Sequence, residues 1–510
     1  MSTFVLMELC KQSGVKNVIY QLLAPSITLN LDEVEENRSY AVIIDKGIRY
    51  CLTGNSGIYD EEASYVLLTD RTPTKQKLID NEIKQRKWIK HPNQIEASPD
   101  DVINSWENRF HFKLEKNEAH PGLRRPQLGA LHALLSHMLS PTETATVVLP
   151  TGTGKTETMM SALVAGRCNR VLVTVPTNAL RGQLFNKFKT LGILKKAKFE
   201  IVDKEALYPI VGVITSAFEG EDQLKSFIRQ CNVVITTMQI IDHAPEEQQD
   251  VYVSSFSNVF VDEAHHIVAT SWRKFSDRFP RHQLVQFTAT PFRNDGQRLD
   301  GKIIFNYPLR QAQKDGYYRT IHFLPVREYG EEAIADKAIA EKAVEKLKDD
   351  QKHYQHIMMA RCETKSRAQA VYKIYKELCP ELRIVLLYSG CPDYIENYNK
   401  VLKRDVDIVV CVNMLGEGFD LPELKIAAFH DIRKSLPITL QFSGRFTRTS
   451  RDAELGDASF VANIADLTVK QELDSLYEED ADWNILLADA NDNKVTDEKQ
   501  YCVKFIFNRL

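Results

Sequence analysis

A chain of 510 residues, 43% hydrophobic and 26% charged, is too long for one compact core and suits two domains plus something smaller. No apolar run approaches the ~18 residues of a membrane span, and the start, MSTFVLMELCKQSGVK, has neither a basic leader nor a sustained apolar stretch, so a cytoplasmic chain without membrane contact is expected. The net charge of −4 confines any polyanion-binding surface to a local basic strip, and nine scattered cysteines without a C-x-x-C pair argue against disulfides, zinc and iron–sulfur clusters.

In chain order, residues 1–115 form a small α+β accessory module, with strands at Tyr40 to Thr53 and Tyr65 to Thr69 and a helix from Thr74 to Lys90. Asp45 and the triplet Glu82-Ile83-Lys84 invite a nuclease reading. Metal-dependent nucleases need such carboxylates on adjoining strands, whereas Glu82 falls in a helical, basic stretch, so the expectation is a solvated helix touching phosphate through Lys84, Arg86 and Lys87, without nuclease activity.

From Leu123 to Asp300, apolar runs at 147–149, 171–175, 211–215, 232–236, 259–261 and 284–287 alternate with helical or polar segments, the pattern of a parallel α/β sheet in a domain spanning 116–305. After a linker over 301–318, a second such domain covers 306–475, with strands at 356–360, 383–388, 407–412 and 426–430. The Ala-rich segment 331–350 reads as a surface helix laying Ile339, Ala340, Ala343, Val344 and Leu347 on that sheet. A tail, 476–510, ends with a strand-like run over 501–507, which leaves open a compact chain or one lacking a C-terminal region.

Two motifs carry the chemistry. Strand-like residues 144–148 lead into Leu149-Pro150-Thr151-Gly152-Thr153-Gly154-Lys155-Thr156, and a helix follows. A strand, a glycine turn and a helix N-terminus make a phosphate cradle, because free N–H groups and the positive dipole end converge there. Lys155 would pair with β- and γ-phosphates and Thr156 would hold Mg²⁺. Leu149 stands where the strict P-loop pattern has glycine. The second motif is Val261-Asp262-Glu263-Ala264-His265, an apolar strand ending in two carboxylates, a costly arrangement unless a cation or a substrate water satisfies them. Asp262 fits a Mg²⁺ ligand, and Glu263 the group that orients or deprotonates the attacking water.

Together these motifs resemble superfamily 2 helicases and translocases, in the DEAH-type branch that contains the motor subunits of type I and type III restriction enzymes and many bacterial defence helicases. The resemblance covers Leu123 to Leu467 and implies two tandem RecA-like parallel-sheet domains. It implies that Arg124 and Gln127 read adenine, that Pro176, Thr177, Thr237 and Thr364 touch a nucleic-acid backbone, and that His265, Thr288 and Thr290 couple hydrolysis to movement. Leu415-Gly416-Glu417-Gly418-Phe419-Asp420 resembles motif V, with Gly418 near phosphate and Asp420 on the ribose. Gln441-Phe442-Ser443-Gly444-Arg445-Phe446-Thr447-Arg448 resembles the arginine-finger motif, with Gln441, Arg445 and Arg448 acting on the γ-phosphate. The implied activity is ATP hydrolysis at a two-domain cleft coupled to strand movement, on DNA rather than RNA by branch, in antiviral defence or restriction, with a separate nuclease or methylase as partner. A nucleic-acid sensor or scaffold switched by ATP, and an RNA helicase, are the alternatives.

Overall fold

The computed structural model describes residues 2–264, 277–289, 301–317, 321–412, 421, 423–431 and 456–463, except 95, 118, 141, 142 and 151. They divide into two compact units, one drawn mainly from residues before 305 and the other mainly from those after.

The N-terminal stretch is rich in strands: β1 (Thr3–Leu6), β2 (Leu9–Ser13), β3 (Val18–Ala24), β4 (Ile27–Asn30), β5 (Val34–Glu36), β6 (Tyr40–Asp45), β7 (Ile48–Thr53), β8 (Tyr65–Thr69) and β9 (Gln85–Lys90). Strands β5 to β9 form one five-stranded sheet in sequence order. The run from Tyr40 to Thr53 is a hairpin, because Lys46 and Gly47 both take positive φ, 53° and 77°, as a two-residue hairpin turn requires.

The expected helix over 74–90 is overturned. A single turn, α1 (Lys75–Ile79), is capped by Thr74 and ends where Asn81 turns left-handed at φ 54°. The chain then pairs antiparallel with β8 and buries Trp88. The apolar spacing of Leu78, Ile83 and Trp88 passes for helical only until the Asp80-Asn81 stop is given its weight. Glu82 and Lys84 therefore lie in the turn before β9. Asp45 closes β6, which borders neither β8 nor β9, so these carboxylates do not meet on adjoining strands.

Helix α2 (Pro99–Ser105) leads into the larger sheet. Its elements in chain order are α3 (Arg125–Leu139), β10 (Ala145–Val148), α4 (Lys155–Ala165), β11 (Val171–Val175), α5 (Asn178–Phe188), β12 (Ile210–Val213), α6 (Glu221–Arg229), β13 (Val233–Thr237), α7 (Met238–Asp242), α8 (Glu246–Ser255), β14 (Asn258–Asp262), β15 (Leu284–Thr288) and β16 (Lys302–Asn306). Strands β11 and β13 are buried at every position, as expected of parallel strands covered on both faces. The order β16-β10-β15-β14-β11-β13-β12-β3-β2 brings two departures from expectation. Strand β3 pairs antiparallel with β12, so the N-terminal stretch supplies one edge of this sheet. Strand β16 lies at the other edge, where the Lys302 N–H donates to the Thr144 carbonyl at 2.8 Å, so the expected linker begins as a strand.

The second unit holds α9 (Leu309–Lys314), β17 (Ile321–Val326), α10 (Glu332–Asp350), β18 (Ile357–Cys362), α11 (Lys365–Leu378), β19 (Ile384–Leu387), α12 (Tyr394–Leu402), β20 (Ile408–Val412), β21 (Leu424–Phe429) and β22 (Ala458–Asn463). Its six strands run parallel in the order β17-β22-β21-β18-β20-β19. Apolar clusters cover both faces, and α10 contributes Ile339, Ala340, Ala343, Val344 and Leu347 to one of them, as its periodicity predicts. The fold is thus mixed α/β with two parallel-strand sheets of RecA-like type. The tail 476–510 lies outside the described residues.

Candidate functional site

After β10 the chain turns through Leu149 to Gly154 and enters α4 at Lys155. Gly152 and Gly154 hold φ of 90° and 102°, a region L side chains rarely enter, so glycine is what allows the turn. Between them Thr153 is fully buried, and its N–H and hydroxyl donate to the Pro150 carbonyl at 3.1 and 2.7 Å. These two bonds brace the loop from within. Lys155 is largely buried as the first residue of α4, and Thr156 is half-buried behind it. Successive N–H groups feeding a helix start form an anion-binding concavity. Leu149 departs from the P-loop pattern for a structural reason. It is fully buried, and its N–H donates to the Thr288 carbonyl at 2.9 Å, continuing the sheet where no glycine conformation is needed.

Strand β15 borders β10, and β14 borders β15. Strand β14 ends on buried Asp262, whose Oδ1 accepts the Glu263 N–H at 3.0 Å. Glu263 is left-handed at φ 48°, a conformation that costs a non-glycine residue about 1–3 kcal/mol and clusters at functional sites. Thr288, the last residue of β15, is fully buried. Among the described residues no group of three or more His, Cys, Asp and Glu could hold a metal. Mg²⁺, which keeps waters and phosphate oxygens alongside one or two protein ligands, needs no such group.

The threonines expected at nucleic acid occupy strand ends. Thr177 is exposed and caps α5, its hydroxyl oxygen accepting the Leu180 N–H at 3.3 Å. Thr364 is exposed and caps α11 in the same way, accepting the Arg367 N–H at 3.3 Å. Pro176 is half-buried before Thr177. Thr237 differs, because it closes β13 only 4% exposed and its side chain faces the interior. Gln127, also buried, uses its Oε1 to accept the Arg124 N–H at 2.7 Å, closing the first turn of α3. Thr151, His265, Thr290, Gly418, Asp420, Gln441, Arg445 and Arg448 lie outside the described residues.

Two arrangements have no signal in the sequence. Arg181, on α5, donates to the Ile214 carbonyl at 3.3 Å, and burial pulls its guanidinium pKa down. In the second unit Arg367 donates to Asp336 at 2.6 and 3.0 Å and to Asp431 at 3.0 Å, while His430 Nδ1 lies 2.9 Å from Asp336 and the Tyr375 hydroxyl 3.1 Å from His430 Nε2. Burial works against ionising Asp336, yet its bonds to His430 and Arg367 prevail and hold its pKa below the ordinary value. Nearly a hundred residues separate the ends of this network, too far for any local pattern.

Residues 120–293 match the family described as "Type III restriction enzyme, res subunit". The curated protein "ATP-dependent RNA helicase DRS1" of Eremothecium gossypii is 24% identical over 373 residues, covering 65% of this chain and 46% of its own, so the chain spans just under half the length of that relative. Among solved structures, the fragment of a putative HsdR subunit of a type I restriction enzyme from Vibrio vulnificus shares the fold, with a TM-score of 0.51 at 15% identity over 92% of this chain and 88% of the other. The ATP-dependent Type ISP restriction-modification enzyme LlaBIII bound to DNA gives a TM-score of 0.47 at 16% identity, over 85% and 35%.

Proposed function

We propose that this chain is a superfamily 2 helicase of the restriction-enzyme-motor type, a reading supported by the matched family and relatives, and a nucleic-acid-dependent ATPase of DEAH type that moves along DNA. The observation that carries the reading is the left-handed pair Gly152 and Gly154 turning β10 directly into Lys155 at the start of α4. Such a turn aims backbone N–H groups at a polyphosphate. ATP with Mg²⁺ supplies the γ-phosphoryl group and the metal that neutralises its oxygens.

Within that reading Gly152 and Gly154, with Thr151, cradle the phosphates through the backbone, while Thr153, bonded to the Pro150 carbonyl, holds the cradle's shape. Lys155 offsets β- and γ-phosphate charge, and Thr156 and Asp262 ligate the metal. Glu263 positions the attacking water, which its turned backbone sets apart from buried Asp262. Arg445 and Arg448, with Gln441, are the proposed γ-phosphate donors, Gly418 and Asp420 the phosphate and ribose contacts, Arg124 and Gln127 the adenine contacts, and His265, Thr288 and Thr290 the coupling residues. Pro176, Thr177 and Thr364 are proposed backbone contacts, the two threonines exposed and Pro176 half-buried. Thr237, being buried, serves as a support behind them. Such contacts read no bases, so binding is indifferent to sequence and sensitive to salt.

DNA is favoured by the matched restriction-enzyme family, RNA by the RNA helicase DRS1. Restriction or antiviral defence in the cytoplasm, with a separate nuclease or methylase, is the setting we propose. No helix among the described residues is long and apolar enough to cross a membrane. Steady-state ATP hydrolysis without nucleic acid, with single- and double-stranded DNA and with RNA, beside Glu263→Gln, tests the reading. Strong stimulation by DNA supports it; stimulation by RNA alone reassigns the track; a rate that no polymer changes favours the ATP-switched scaffold.

A further inference from the structure

We propose that the tip of the β2–β3 hairpin, Gly14-Val15-Lys16-Asn17, is a nucleic-acid contact that the N-terminal stretch adds to the edge of the larger sheet. The inference rests on the nucleic-acid reading above and extends it to residues outside the motor motifs.

Strand β3 runs antiparallel to β12, pairing Val18 with Val213. The hairpin tip therefore emerges where β12 ends, on the same edge of the sheet as the ends of its parallel neighbours β13 and β11. That edge carries Thr177 after β11, Thr237 at the end of β13 and Thr215 after β12, with the tip next in line. Three inter-strand steps of about 4.8 Å separate β11 from β3, roughly 14 Å in all. Such a length spans about four phosphates of one strand at the duplex rise of 3.4 Å each, and fewer of an extended single strand.

The tip is fastened in place. Asn17 Oδ1 accepts the N–H groups of Thr215 and Ser216 at 2.9 and 3.2 Å, and its Nδ2 donates to the Ser216 carbonyl at 3.1 Å. The Thr215 hydroxyl donates to the Lys16 carbonyl at 2.8 Å. Gly14 has φ 85°, and a Cβ there would meet the Asn17 carbonyl oxygen at 2.0 Å, so only glycine closes this turn. Arg181, one turn beyond the Thr177 cap, holds the carbonyl of Ile214 in the same loop. One short segment, Ile214 to Ser216, thus ties the hairpin tip to the helix that begins at Thr177.

What this anchored turn presents is Val15, 95% exposed, and the exposed side chain of Lys16. An apolar side chain and a cation side by side suit a strand that offers sugar and base faces beside its phosphates. A turn needed only to close a hairpin would not require its apex to be bonded to a second loop.

A photo-reactive phenylalanine analogue in place of Val15, Asn178 or Ile48 tests the inference on the full-length protein, using a single-stranded DNA oligonucleotide and its RNA counterpart. Asn178 is exposed next to Thr177, and Ile48 is exposed at the hairpin of the other N-terminal sheet. Cross-linking at positions 15 and 178 and not at 48 supports the proposal. Cross-linking at 178 without 15, or equally at 15 and 48, overturns it and leaves the motor reading standing. Cross-linking at none of the three overturns the nucleic-acid reading itself. In parallel, Lys16→Ala should weaken binding about 3- to 10-fold and lower the log–log salt slope by about 0.7–0.9, the signature of one phosphate contact, with ATP hydrolysis in the absence of nucleic acid unchanged. Unchanged affinity and slope count against the proposal.

Discussion

Removing the Asp336 carboxylate should loosen α10 and α11 by an amount the geometry sets. Asp336 accepts two bonds from Arg367, at 2.6 and 3.0 Å, and one from His430, at 2.9 Å, with its side chain 3% exposed. Breaking a buried ion pair by deleting one partner costs about 3–5 kcal/mol, because the other charge stays desolvated. Arg367 keeps Asp431 at 3.0 Å and is itself 18% exposed, so the lower end of that range applies to Asp336→Ala. About 3 kcal/mol corresponds to a factor of roughly 150 in a local opening equilibrium. Asp336→Asn should fare no better, since its amide hydrogens would face the guanidinium. Arg367→Ala combined with Asp336→Ala should cost less than the two changes added, because neither charge is then stranded. Hydrogen exchange read by mass spectrometry on peptides covering 332–350 and 365–378 reports these openings without requiring the whole chain to unfold in one step. Acceleration below tenfold for Asp336→Ala would refute the claim that this network holds the two helices. The pH dependence has a definite sign. Asp336 has its folded pKa lowered, so its stabilisation is present above the ordinary carboxylate range, about pH 3.9, and is lost as pH falls through the folded pKa. Exchange in these peptides should therefore show its extra acceleration on the acid side only.

Gly154→Ala forces alanine to φ 102° and should cost about 1–2 kcal/mol of strain or a reshaped loop, so nucleotide affinity measured by calorimetry should fall tenfold or more. Lys155→Ala should abolish nucleotide binding, whereas Glu263→Gln should leave binding intact and reduce turnover at least a hundredfold; full activity in Glu263→Gln would remove Glu263 from its proposed role. Lys195, lining a cavity of about 760 Å³ with Lys113 and Asp203, has its pKa pulled down to about 8, chiefly by burial. At pH 8 about half of it is uncharged, against less than 1% of an ordinary lysine. Acetylation of Lys195 followed by peptide mapping should therefore level off above pH 8 and slow as pH drops below it, whereas at an exposed lysine it keeps rising well above pH 8.

Parallel strands buried on both faces announce themselves as short apolar runs, and the β11, β13, β14, β18 and β20 segments were legible for that reason. The glycine turn before α4 is legible because its glycines are a backbone requirement, which the φ angles of Gly152 and Gly154 meet. Elsewhere the pattern misled. Over 74–90 a helix-like spacing of apolar residues concealed a turn at Asp80-Asn81 and the strand that buries Trp88. Over Lys302–Asn306 a strand reads as linker, because Lys-Ile-Ile-Phe-Asn is short and its burial partial. Strand β3 is absent from the sequence reading, and its neighbour has no local signal, since pairing with β12 joins residues nearly two hundred positions apart. Gln127 and Thr237 show the same limit at the level of side chains. A motif gives the type of residue, while burial and a capping bond determine which atoms are presented.

The pairing of β3 with β12 has a consequence for how the molecule meets its surroundings. Without β2 and β3, β12 would be a bare sheet margin of unpaired N–H and C=O groups, a template on which any extended peptide, including another copy of this chain, could add. The hairpin occupies that place and moves the margin out to β2, whose pairing with β3 slips at Leu9/Cys10 and whose Lys11, Gln12 and Ser13 are exposed and polar. A charged, irregular margin is a poor template for further strands. Truncations made to trim the N-terminus should therefore stop short of Leu9, or the trimmed protein would trade a soluble edge for a self-associating one.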